Sequence, residues 1–130
     1  MRKTLYRAAN DDYISQGFSF ATSRATAQAY LDNPGFGGAT IFRTRIYVTE
    51  EVIDLTSWSV RKLAHHLGFS DPGAIGIDEW LPRTPDALQA LREEGFLWAL
   101  VSESFPRDTI TWIWLGTSED EEPELYEVYD

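Results

Sequence analysis

Cysteine is absent from the chain. Its absence excludes disulfides, zinc–thiolate centres and a thiol nucleophile, and it suits a reducing cytosol. No stretch approaches the ~18 consecutive apolar residues of a membrane span. The start, "MRKTLYRAANDDY", has two early bases but lacks the apolar core of a secretory signal. Together these absences predict a soluble, unexported protein that works in the cytoplasm, its own or that of a host cell. Basic residues are scarce, with 11 Lys and Arg against 21 Asp and Glu. A protein that coats nucleic acid displaces counterions with Lys and Arg, so that class is disfavoured. There is no HExxH pair, no spaced carboxylate set and no P-loop, which leaves a metal hydrolase or a nucleotide kinase without support. Neither an internal repeat nor an interdomain linker is visible.

The 130 residues that remain to be read are 43% hydrophobic and include five Trp, enough for one packed domain. The net charge of −10 is unevenly spread. Residues 117–130 hold seven acids and no base, leaving 14 acids against 11 bases in residues 1–116. The run "SEDEEPE" therefore reads either as a solvated loop or as an acidic patch that engages a basic partner surface.

Hydrophobic periodicity gives the coarse architecture. "TLYRAA" alternates as a short strand, with Leu5 and Arg7 on one side and Tyr6 on the other. "FSFAT" makes a second strand, and Thr22 or Ser23 caps the following helix "RATAQAYL". After "DNPGFGG", the segment "ATIFRTRIYV" puts Phe42, Thr44, Ile46 and Val48 on one face and Ile41, Arg43, Arg45 and Tyr47 on the other. "WSVRKLAHHLG" sets Val60, Leu63, Ala64 and Leu67 at helical spacing, with Gly68 as C-terminal cap. "FSDPGAIGIDEW" reads as a loop. Thr84, Pro85 and Asp86 open a further helix as cap, first position and acidic first turn; Leu88 and Leu91 form its apolar side and Gly95 closes it. "FLWALV" predicts a strand covered on both faces, "TITWIWL" an alternating strand that groups Ile110, Trp112 and Trp114, and "ELYEVY" a last strand. The sum is an α+β domain.

Two conspicuous motifs carry little chemistry. His65 and His66 are adjacent on a helix and point roughly 100° apart, so they do not share one ligand easily. "GFGG", Gly35 to Gly38, leads from helix to strand, the reverse of a dinucleotide fingerprint, and reads as a flexible connection or a lid. The tryptophans read mostly as core.

The order "LYRA", "GFSFATSRATAQAYL", "ATIFRTRIYVTEEVIDLT" resembles the opening half of the ADP-ribosyltransferase superfamily in its small bacterial and phage versions. "GFLWALV", "DTITWIWL" and "PELYEVY" resemble the closing half. The resemblance implies a single domain over residues 1–130, an ADP-ribosyltransferase-like split β-sheet core with helices on its flanks. It implies NAD as substrate, no metal, and transfer of ADP-ribose to an intracellular macromolecule, expected to be a protein, by a toxin, effector or phage counter-defence protein. Carried over residue by residue, Arg7 anchors the pyrophosphate or ribose, Ser19 and Thr22 orient the ribose and the catalytic carboxylate, and Tyr6, Tyr30 and Phe36 complete the dinucleotide pocket. The catalytic set is then Arg7 and Ser19 with a carboxylate. Here the sequence departs from the family pattern, in which a Glu sits beside a Gln, Glu or Ser on a late strand; Asp108 and Glu103 are the two candidates.

The same residues have plainer uses. Arg7 covers an apolar edge with its stem, Thr22 and Ser23 cap a helix, Tyr30 sits in the core, Asp108 is a turn residue and Glu103 a solvated strand end. A second functional class follows from those uses: a catalytically silent binding or inhibitor protein on the same fold, whose acidic surface blocks a basic partner.

Overall fold

The longest alternating segments pair with each other. In the computed structural model, which describes residues 2–32, 40–49, 51–103 and 109–128, β1 (Arg2–Ala9) and β3 (Thr40–Tyr47) run antiparallel from Arg2 opposite Tyr47 to Ala9 opposite Thr40. The alternation of β3 is used as expected: Phe42, Thr44 and Ile46 are buried and Arg43, Arg45 and Tyr47 are exposed. The other strands are β2 (Ser19–Ala21), β4 (Val52–Asp54), β5 (Trp98–Ser102), β6 (Ile110–Trp114) and β7 (Tyr126–Glu127). Among the described residues they form one sheet in the order β4-β5-β6-β2-β1-β3-β7, with four helices, so the α+β class holds.

The sheet has a weak seam. Three residue pairs join β2 to β6, but only Tyr6 opposite Ala21 joins β2 to β1. The sheet is thus two well-paired groups meeting along one bridge.

Register assigns the faces. Tyr6, Ala21, Thr111 and Val101 lie in one row across four strands, and Arg7, Phe20, Trp112 and Leu100 in the next row, on the opposite face. The first face carries the helices. Helix α1 (Arg24–Leu31) packs Ala27 against Ala21 and Ile41, while α2 (Val60–Leu67) and α4 (Pro85–Glu93) pack Leu63, Leu88 and Leu91 against Ala99, Val101 and Ile113. The second face buries Leu5, Phe20, Trp98, Trp112 and Trp114 beneath Ile14, Phe18 and Leu125. Trp98, Trp112 and Trp114 are core residues as expected, whereas Trp58 and Trp80 are half-buried at the edge of the helix-side core.

The helix ends follow local chemistry. Ser23, not Thr22, caps α1 by accepting from the Thr26 amide at 3.2 Å, and Gly68 ends α2 at a φ of 82° that a side chain rarely adopts. Thr84 stands at the start of α4, but its hydroxyl donates to the Trp80 carbonyl at 2.7 Å and caps no amide. Two elements depart from the sequence reading. Val52–Asp54 is a parallel edge strand beside β5, and Ile77–Trp80, expected to be loop, is the single-turn helix α3. Three or four residues are too few to display a period, so packing alone decides both.

Candidate functional site

A cavity of about 360 Å³ opens on the helix face, over the row Tyr6, Ala21 and Thr111 and between α1 and α3. Tyr6, Arg7, Ser19, Tyr30 and Glu103 all line it. These residues come from β1, β2, α1 and the end of β5, up to 97 positions apart in the chain. Arg7 belongs by register to the opposite face. It reaches the wall at the seam, where β1 and β2 part.

Arg7 is held in a defined place. Its Nη1 donates to the Ser19 carbonyl at 2.8 Å, and the guanidinium lies over the Phe18 ring, 4.2 Å from the centroid. Burial pulls its pKa below the ordinary arginine value, with Tyr13 and Asp11 opposing that shift. Its Nε is buried and has no hydrogen-bond partner among the described residues. The cation is thus fixed at the cavity wall by an aromatic ring and one carbonyl.

Glu103 is the acidic centre of the opposite wall. Its carboxylate accepts from the Tyr30 hydroxyl at 3.2 Å and from the Thr111 hydroxyl, and it shares a hydrogen bond with Asp78 of α3. Its backbone amide donates to Thr109 at 2.8 Å, which fixes the end of β5. Burial raises the Glu103 pKa above the usual carboxylate range; Asp78 adds to the rise, while the Thr111 and Tyr30 hydroxyls work against it. Tyr30 responds in kind. Burial first, then the neighbouring Glu103, pushes its phenol up to about 12, so it remains a hydrogen-bond donor at neutral pH.

The remaining sequence candidates divide. Ser19 is exposed and lines the cavity, with its backbone carbonyl already used by Arg7. Thr22 is half-buried and is not among the cavity residues. Phe36, Asp108 and the Gly35 to Gly38 connection lie outside the described residues. Sequence reading missed α3 and its flank, which contribute Asp78, Glu79, Pro82 and Arg83 to the wall, and it missed Thr111. The signal available for α3 was slight: Gly76 followed by Ile77 and two acids is the pattern of a helix start.

Other conspicuous groups are satisfied elsewhere. His66 Nε2 meets Glu94 at 2.8 Å and its ring packs edge-on to Trp58, while His65 is exposed. Among the described residues no cluster of His, Asp and Glu is arranged to hold a metal ion, and no helix is long and apolar enough to cross a membrane. Compared with protein-family models, with curated proteins and with solved structures, the chain matches none.

Proposed function

We propose that the protein is an NAD-dependent ADP-ribosyltransferase on a split-sheet fold of that superfamily, acting on an intracellular macromolecule. One observation carries the reading: Arg7, Ser19, Tyr30 and Glu103, singled out by their order along the chain, line one cavity at the seam between the first two strands. The cavity lies at the small end of the ~300–1,000 Å³ typical of ligand pockets. It suits the nicotinamide and its ribose, with the rest of the dinucleotide lying across the rim near Arg7.

The chemistry asks little of the protein beyond placement and charge. The bond between nicotinamide and ribose breaks, and its electron pair neutralises the positively charged ring nitrogen, so the leaving group needs no proton. Arg7 holds pyrophosphate oxygens with the part of its guanidinium that lines the cavity, and the Ser19 hydroxyl positions the ribose. The Glu103 carboxylate faces the developing positive charge and takes the proton from the incoming acceptor nucleophile. Tyr30 and Thr111 hold that carboxylate in one orientation. Asp108 remains the second carboxylate candidate.

Mixing the protein with NAD is expected to release nicotinamide, and Arg7→Ala or Glu103→Gln to reduce that release at least ~100-fold, the scale of a lost transition-state contact. Absence of NAD binding by calorimetry at millimolar ligand would count against the assignment.

A second reading is supported by the way the acidic segment is held. Arg92 grips Asp120 with two hydrogen bonds, Nε at 2.9 Å and Nη2 at 2.6 Å, which anchors the acidic run to α4 at that residue. On this reading the protein is a silent inhibitor that presents that run to a basic partner. Binding that falls steeply with salt and survives Arg7→Ala would favour it.

A further inference from the structure

A second cavity, about 760 Å³, lies against the outer edge of β3 and, among the described residues, shares no lining residue with the cavity beside Arg7. It exists because β7 is short. Among the described residues β7 pairs with β3 at Phe42 and Arg43; the preceding segment then leaves the sheet, and it contains Pro123, which has no N–H to add to a ladder. The cavity is the wedge between that departing segment and the strand.

The backbone direction of β3 is fixed by one bond. The Ile41 carbonyl accepts from the Val128 amide at 2.8 Å, so Ile41 points its main-chain groups toward β7. Every second residue does the same in an antiparallel strand, which turns Arg43, Arg45 and Tyr47 outward. Arg43 is covered by β7. Among the described residues, nothing pairs with the outward N–H and C=O of Arg45 and Tyr47.

The side chains around this open edge are sorted by charge. Arg43, Arg45 and Tyr47 stand exposed on one sheet face, with Arg2 stacked 5.3 Å from the Tyr47 ring centroid. On the other face Thr44 and Ile46 adjoin the floor made by Trp98 and Trp114, and the Thr44 hydroxyl is buried with no partner among the described residues. Glu121, Glu122 and Glu124 form the facing wall, and none of them is ion-paired with Arg2, Arg43 or Arg45. Two walls of opposite charge are held apart across an apolar floor beside an unpaired strand edge.

We infer that this groove binds an extended peptide of alternating acidic and basic residues, which adds to β3 as a strand. Main-chain hydrogen bonds to Arg45 and Tyr47 give the affinity, and the two-residue period gives the specificity. An acidic side chain falls opposite Arg45, with Arg43 diagonal to it. The intervening Lys or Arg side chains cover the tryptophan floor with their stems and reach the glutamate wall with their tips. A nucleic-acid strand satisfies only the first wall and is repelled by the second. The inference is independent of the chemistry at the Arg7 cavity.

The test is an amide NMR titration of the full chain with two synthetic peptides of equal composition, one alternating Glu and Lys and the other with the charges in two blocks. The alternating peptide is expected to shift the Arg45 and Tyr47 amides saturably and to slow their hydrogen exchange, with the block peptide at least ~10-fold weaker. The double variant Arg43→Glu/Arg45→Glu is expected to weaken the alternating peptide by a similar factor. Arg45→Pro, which deletes an outward N–H and leaves the β1 ladder intact, is expected to abolish the exchange protection at Tyr47; if that variant does not fold, the charge-reversed pair decides. Equal affinity for both peptides, shifts confined to other surfaces, or no saturable shift at millimolar peptide would each overturn the inference.

Discussion

At Glu103 the demands of stability and of the proposed chemistry conflict. Its folded pKa lies above the unfolded value, so the fold favours the protonated form, and that contribution is lost as pH rises through the folded pKa. Once ionised, the carboxylate is a net cost that Glu103→Gln removes, because a glutamine amide still accepts from Tyr30 and also donates to Asp78. The variant is expected to melt at a higher temperature than the parent at pH 7, with the difference shrinking as the pH falls below the ordinary carboxylate range, while nicotinamide release is lost. An unchanged or lower melting temperature at pH 7 would contradict the half-buried Glu103–Asp78 pair. Gly116 sets a purely steric demand. A Cβ there would overlap the Trp114 indole, which is 2% exposed and cannot retreat. Gly116→Ala is expected to destabilise the protein by about 1–3 kcal/mol in urea unfolding, the usual cost of overpacking. Residue types were readable here but their roles were not. Arg7 and Glu103 stood out only by their order along the chain, whereas Thr111, alternating in a strand, looked like any half-buried polar residue.

Among the elements, α1 and the acidic loop depend on single side chains. Ser23→Ala removes the one side-chain cap of an eight-residue helix and is expected to cost about 1 kcal/mol, visible as faster hydrogen exchange in the first turn of α1. The loop after β6 is tied to α4 by Arg92 and Asp120. The Arg92 hydrogen bonds, aided by the Thr117 amide, hold the Asp120 carboxyl down at about 2. The sign follows directly: the folded pKa is depressed, so the stabilisation is complete above the unfolded value of about 3.9 and is lost as pH falls through about 2. Arg92→Ala is therefore expected to flatten the acid limb of the stability curve between those values; parallel curves for parent and variant would show that the pair does not matter. Long periodic elements were legible: β3 reads from its alternation, and α2 from Leu63, Ala64 and Leu67 followed by Gly68. β4 and α3 were not, because three or four residues contain less than one informative period, and it is α3 that supplies Asp78 to the cavity.

For the whole molecule, the seam between β1 and β2 sets the mechanics. Leu63, Leu81, Leu88 and Leu91 pack on β5 and β6, whereas the helix side of β1 and β3 has the smaller cluster of Ala21, Ala27 and Ile41. Amides of β1 and β3 are accordingly expected to exchange with a lower opening free energy than those of β5 and β6, and a ligand in the Arg7 cavity to narrow that gap because it bridges the seam. Uniform protection across all strands would show that one bridge couples the halves fully. The amino-acid sequence by itself determined the α+β class, the faces of the long strands and the glycine that ends α2, since each is settled by neighbours within one or two turns of the chain. Only the tertiary structure decided that residues 7, 19, 30, 78 and 103 share a cavity and that, among the described residues, the β3 edge is open beside the acidic segment. Strand order and register bring distant residues together, and those depend on how all the buried surfaces pack at once.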